Sequence, residues 1–353
     1  MTNRIIAKLG YGAYSTVWLA RDERTNQYSS VKVSIEQRDN DDKISPVLNE
    51  VTMLRRMKAL AKGDDHPGLC FTRLACDIFQ LQGSSGGSHY CIVSKPQRAQ
   101  PAHPSTGVSK RKDISPINVL IEIADGDDSS FKGIGAQESA NPSIPIISEL
   151  GVPVYPSRHP SIDIGVGIPI LTDLGSMRDD DTDGRINQDW IMPDLYRALE
   201  VLLQIPWIFQ VDMWSVGVMT LELLEGRNLF DPIDHDHNQY VLPLALAHYI
   251  VYLGPPPMHM LEKSPLRSVF FDENGNWTLS EAQIPKTSLE DFVTTIPPGE
   301  EKDLFLKFIR KMLAWDPEAR ATSNEIMYDA WLHMSFEELC FWYDAEREFE
   351  HGH

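Results

Sequence analysis

Val211-Asp212-Met213-Trp214-Ser215-Val216-Gly217 reads as the opening of a helix, because Val211, Trp214, Val218 and Leu221 recur at the spacing that places them on one face. A second stripe of the same period follows at Leu304, Phe305, Phe308, Ile309 and Met312, so the C-terminal half is expected to be mainly α. Towards the N-terminus the period changes. Residues 4–35 alternate, with Ile5, Val17, Leu19, Val31 and Val33 in short β-rich runs between turn residues, the pattern of an antiparallel sheet. Ser45 then suits an N-cap and Pro46 the first helical position, and Val47, Val51 and Leu54 follow at i, i+4 and i+7. One amphipathic helix is therefore expected on that sheet. The fold class is α+β: a small sheet with one helix, then a larger and mainly helical part.

Two stretches resist this reading. Residues 94–112 hold Pro96, Pro101 and Pro104, several basic side chains and almost nothing apolar, which predicts a loop. Residues 124–165 are rich in Gly, Ser, Asp and Pro and are expected to form an irregular insertion. No internal repeat is evident.

A length of 353 residues suits two lobes around a shared cleft, and 42% apolar with 24% charged residues is ordinary for a globular protein. The longest nearly apolar run, residues 241–254, contains His248 and falls short of the ~20 residues a bilayer-spanning helix needs. The opening MTNRIIAKLG has no apolar leader and passes straight into a strand, so cytoplasm or nucleus is the expected location. Cys70, Cys76, Cys91 and Cys340 lack C-x-x-C spacing and are expected to be reduced thiols rather than metal ligands. A net charge of -19 disfavours direct contact with nucleic acid; it would attract a cationic peptide, or serve solubility alone.

Several short motifs carry chemistry. Leu9-Gly10-Tyr11-Gly12-Ala13-Tyr14-Ser15-Thr16-Val17 puts two glycines at a strand turn, where the backbone can close over phosphates or simply form a tight hairpin. Lys32 interrupts the apolar strand around Val31 and Val33 and needs a partner if buried; Glu50 on the following helix can supply it. Further on come Lys112-Asp113-Ile114-Ser115-Pro116-Ile117-Asn118-Val119-Leu120 and Leu171-Thr172-Asp173-Leu174-Gly175. Then follow Tyr196-Arg197-Ala198-Leu199-Glu200 and Trp315-Asp316-Pro317-Glu318-Ala319-Arg320-Ala321-Thr322.

Taken in this order, the motifs over residues 8–332 resemble those of eukaryotic protein kinases. Leu229-Phe230-Asp231-Pro232, Tyr252-Leu253-Gly254-Pro255-Pro256-Pro257 and Phe270-Phe271-Asp272-Glu273-Asn274-Gly275-Asn276-Trp277 are similar to fungal kinases of the group that phosphorylates Arg/Ser-rich splicing factors. The resemblance implies a bilobal kinase-like fold with an N-lobe over 1–94, a C-lobe over 95–335 that includes the insertion 124–165, and a tail over 336–353. It also implies a serine/threonine kinase that uses ATP and Mg2+ on protein substrates, Arg/Ser-rich segments among them, as a monomer without membrane or nucleic acid. In that scheme Leu9, Gly10, Gly12, Ser15, Val17 and Leu120 surround ATP, and Lys32 with Glu50 orients its phosphates. Asn118 and Asp173 bind Mg2+, Asp113 accepts the substrate hydroxyl proton, and Glu200, Arg320 and Asp212 are structural.

The pattern also departs from the family. Only residues 96–112 separate the hinge position Lys95 from Asp113, where a kinase places two helices. Arg111-Lys112 precede Asp113, Ser115 stands where a lysine contacts the γ-phosphate, Ser30 replaces a small apolar residue over adenine, and Leu199 replaces a proline. These departures keep a second reading open, a pseudokinase or scaffold with nucleotide binding and little transfer.

Overall fold

The computed structural model describes residues 3–37, 45–63, 66–83, 86–99, 114, 116–122, 128–149, 151–158, 167–178, 187–234, 236–237, 239–280 and 282–333. They group into two compact units, Met1–Asp179 and Asp180–His353. The first is built on a five-stranded antiparallel sheet of β1 (Asn3–Gly12), β2 (Ser15–Asp22), β3 (Tyr28–Ser34), β4 (Asp77–Gln82) and β5 (Ser88–Ser94), in the order β1-β2-β3-β5-β4. The period-2 alternation fixes its register: Val17 faces Lys32, which faces Ile92, and one pleat along Leu19 faces Ser30, which faces Ser94.

Helix α1 (Pro46–Leu60) opens on its proline and turns Val51 and Leu54 into a cluster with Ala75, Ile92 and Leu174. Ser45 occupies the N-cap position but does not cap with its side chain; its hydroxyl donates instead to Gln37 Oε1 at 2.7 Å. The sequence placed the helix start correctly, but the Ser45 hydroxyl is used as a donor to Gln37 and accepts no bond from the first-turn amides.

The stretch expected to be a loop after residue 94 opens with a short strand, β6 (Gln97–Ala99), at the edge of a three-stranded sheet. There β6 pairs with β7 (Val119–Glu122), which pairs with β10 (Pro169–Leu171). Residues 100–113 lie outside the described residues. The lobe boundary expected between 94 and 95 falls inside the first unit, since Leu171 bridges Thr72 and the turn after it lies under α1.

The segment 124–165 is not irregular throughout. It contains helix α2 (Ser129–Ala140) and a small hairpin of β8 (Ile146–Ile147) and β9 (Pro153–Val154). The helix forms because Phe131 and Ile134, one turn apart, bury completely with Ala7 and Leu19 and against Ile6, Leu9 and Tyr28. A second helix thus packs on the sheet, against β1 and β2, in addition to α1. The chain after it runs on along β1, where the Arg158 amide donates to the Lys8 carbonyl at 2.7 Å and Tyr155 meets the edge of Trp18. Phe131→Ala should cost about 3–5 kcal/mol at this interface, read as lost hydrogen-exchange protection in α2 and β1. Unchanged protection there would show that α2 is not held by this cluster.

The second unit is mainly α, as the two stripes predict. Helix α4 (Gln210–Glu225) buries Val211, Trp214, Val218 and Leu221, and α9 (Glu300–Met312) buries Phe305, Phe308, Ile309 and Met312 in the same core. Between them lie α5 (Leu242–Leu253) and the one-turn helices α6 (Met258–Leu261), α7 (Arg267–Phe270) and α8 (Leu289–Phe292), after α3 (Leu199–Leu202). The apolar run 241–254 contains α5, whose Tyr249 packs against the rings of Trp214 on α4 and Phe230 after it, which makes α5 a core helix. Among the described residues no helix is long and apolar enough to cross a membrane. Cys70, Cys76 and Cys91 are free thiols.

Candidate functional site

The site in the first unit is built on the middle of β3. Lys32 Nζ lies 2.6 Å from Glu50 Oε1, 2.7 Å from Glu50 Oε2 and 3.1 Å from Asp173 Oδ1. All three side chains are largely buried, at 15%, 11% and 18% exposure. A lysine this far from water needs such partners, since an unpaired charge is costly to desolvate. The helix phase of α1 turns Glu50 inward next to Val51, which is how an apolar helix face delivers a carboxylate to the sheet.

Asp173 follows β10 and has φ of 65°, the left-handed region that asparagine and aspartate tolerate better than other side chains. The turn Leu174–Ser176 is held beneath α1, with Leu174 in its apolar cluster and Asn49 Nδ2 donating to the carbonyls of Gly175 and Met177, each at 2.9 Å. The buried Asn118 sits just before β7. Its carbonyl accepts from Thr172 N at 2.8 Å and Thr172 Oγ1 at 3.0 Å, so the antiparallel β7-β10 pair brings Asn118 and Asp173 to one end. Leu120 is half-buried on β7.

The glycine hairpin forms from the end of β1 and the start of β2. Gly12 pairs with Ser15, which is buried, Leu9 and Val17 are half-buried, and Tyr11 stands exposed at the tip. A Cβ built on Gly10 would meet no atom within 4 Å, so there is room beside that strand for a ligand.

One residue of this neighbourhood escaped the sequence reading. Arg73, in the segment before β4, donates from Nε to Ser94 Oγ at 2.7 Å and from a terminal nitrogen to both Ser94 and Ser30, whose hydroxyls are 3.0 Å apart. Burial pushes its pKa down, while Glu50 and Asp173 act in the opposite sense and favour its charge. The available signal was a pair of serines facing each other across apolar strands, Ser30 and Ser94, which required a polar partner.

In the second unit Arg320 meets Glu200 in a two-pronged pair, NH1 to Oε1 and NH2 to Oε2, both 2.8 Å, with both side chains at 0% exposure. The guanidinium also donates to the carbonyls of Gln210 at 2.9 Å and Ala314 at 3.1 Å. Asp212 lies in the first turn of α4, where desolvation pushes its carboxyl up to about 6. Asp113 and Ser115, the acidic run 179–183 and the tail 336–353 lie outside the described residues.

Asp173 offers a carboxylate and Asn118 an amide, the hard oxygen donors that suit Mg2+, with Lys32 beside them to face an anion. Among the described residues no group of three His, Cys, Asp or Glu could enclose a metal ion by itself.

A protein kinase domain model matches residues 168–332. A serine/threonine protein kinase of Aspergillus fumigatus is 33% identical over 349 residues, covering 93% of this chain and 84% of that protein. The serine/threonine-protein kinase SRPK of Physarum polycephalum is 26% identical over 371 residues, covering 91% and 84%. The human dual specificity tyrosine-phosphorylation-regulated kinase 4 is 32% identical over 149 residues, covering 41% of this chain and 27% of its own.

Proposed function

The chain belongs to the eukaryotic protein kinase superfamily and is a serine/threonine protein kinase, and from that premise we propose that it transfers the γ-phosphoryl group of Mg-ATP to hydroxyls in basic, Arg/Ser-rich protein segments. The observation that carries the nucleotide part is the buried meeting of Lys32, Glu50 and Asp173. Lys32, fixed by two hydrogen bonds to Glu50, presents its ammonium to the α- and β-phosphates. Leu9, Gly10, Gly12, Ser15, Val17 and Leu120 enclose the nucleotide, while Asp173 and Asn118 hold the divalent cation. When bound, Mg-ATP supplies the transferable phosphoryl group and the metal charge that offsets its repulsion. Asp113, placed by its motif, accepts the proton of the substrate hydroxyl as that oxygen bonds to phosphorus. In the second unit the Glu200-Arg320 pair, with Asp212 on α4, is the structural anchor.

The preference for basic segments rests on the net charge of -19, on Asp179-Asp180-Asp181-Thr182-Asp183 and on the likeness to the kinase named SRPK. Exposed charges steer a substrate only over the Debye length, which shortens from ~10 Å at 0.1 M salt to ~3 Å at 1 M. The expected result is that kcat/KM for an Arg/Ser peptide exceeds that of an Arg-free, Lys-free peptide at low salt and that the gap closes as salt rises. Equal and salt-independent values would reduce the substrate class to protein hydroxyls in general. Asp113→Asn should lower turnover by about 10^2–10^4 with nucleotide binding retained. Undiminished turnover would remove Asp113 from the mechanism.

A further inference from the structure

Lys32 is flanked by two carboxylates, Glu50 and Asp173, so these three side chains together carry one net negative charge. Left alone, that set would oppose a phosphate chain. Arg73 supplies the missing cation. Its backbone amide donates to Leu171 O at 3.0 Å, two residues before Asp173, and its guanidinium is bound to Ser30, two residues before Lys32 on β3. The side chain is therefore tied to both strands that deliver the charged groups. Its side-chain hydrogen bonds, from Nε and one terminal nitrogen, run to the neutral hydroxyls of Ser30 and Ser94, which hold the guanidinium without cancelling its charge. Both Glu50 and Asp173 lie near enough to favour that charge.

We propose that Arg73 is a positioning residue of the nucleotide site, a second fixed cation that offsets Glu50 and Asp173 and leaves the ammonium of Lys32 available to anionic phosphates. The inference rests on the reading of Lys32, Glu50 and Asp173 as the nucleotide site. It goes beyond that reading by assigning a role to a residue that lies in none of the kinase motifs. Its consequence has a sign that packing alone would not produce: removing the charge weakens an anion and strengthens a bare divalent cation at the same place.

The test is binding rather than turnover. A fluorescent ATP analogue with Mg2+ and, separately, Mn2+ alone followed by electron paramagnetic resonance are titrated into the full chain. The wild type is compared with Arg73→Gln, Arg73→Lys and the double variant Ser30→Ala/Ser94→Ala. Arg73→Gln is expected to raise the nucleotide Kd on the order of tenfold while lowering the Kd for Mn2+. Arg73→Lys should stay within about threefold of the wild type for both, because charge and not the fork is required. Weakening of nucleotide and Mn2+ alike in Arg73→Gln, or a Lys variant no better than Gln, would overturn the proposal in favour of a packing role. So would a serine double variant that reproduces the opposite shifts with Arg73 intact. Should Arg73→Gln fail to fold, the Lys variant still decides: tenfold loss of nucleotide with the charge retained overturns the proposal. A wild type that binds no nucleotide would overturn the site itself, a distinguishable failure.

Discussion

Arg320→Ala is expected to lower the unfolding free energy by about 3–5 kcal/mol, because it strands the fully buried Glu200 carboxylate without a partner. The loss is larger than a surface pair would give, since both side chains are sealed from water and Arg320 also serves the carbonyls of Gln210 and Ala314. Desolvation is the physical origin. It follows that replacing both partners, Glu200→Met with Arg320→Met, should recover much of the loss even though the ion pair is gone. Urea unfolding followed by tryptophan fluorescence reads both variants. A cost under about 1 kcal/mol for Arg320→Ala would mean that water reaches Glu200 and that the pair is not the anchor of this unit.

Lys32→Met is expected to weaken binding of a fluorescent ATP analogue by roughly 100-fold, the equivalent of about 2–3 kcal/mol for lost charge-assisted hydrogen bonds. The variant removes the ammonium while leaving Glu50 and Asp173 in place with Arg73 alone to offset them, so the site becomes more negative by one charge. Equal binding by wild type and variant would place the nucleotide elsewhere.

The parts of this molecule that were legible in its sequence are those where a strong period and a charge act together. Val211, Trp214, Val218 and Leu221 announced α4, and a lysine inside an apolar strand announced its need for Glu50. What stayed hidden had local chemistry pointing elsewhere. In α2 the glycines Gly133 and Gly135 and the flanking serines masked a core contact carried by Phe131 and Ile134 alone. Strand β6 follows Pro96 and is polar, the composition that edge strands carry and loops share. Arg73 could not be assigned because its partners, Ser30 and Ser94, meet only through the β3-β5 register, and the left-handed turn at Asp173 depends on Leu174 docking under α1. Each of these was decided by tertiary packing.

Transfer itself is the most direct measurement. Purified chain, Mg2+ and γ-labelled ATP are incubated with an Arg/Ser-rich peptide, alongside the Asp173→Ala variant, which lacks the metal-binding carboxylate. The account predicts label on serine or threonine of the peptide with the wild type and none above background with the variant. Bound nucleotide without any transferred label in the wild type would contradict it and identify the chain as a nucleotide-binding scaffold, in line with Ser115 in place of a lysine.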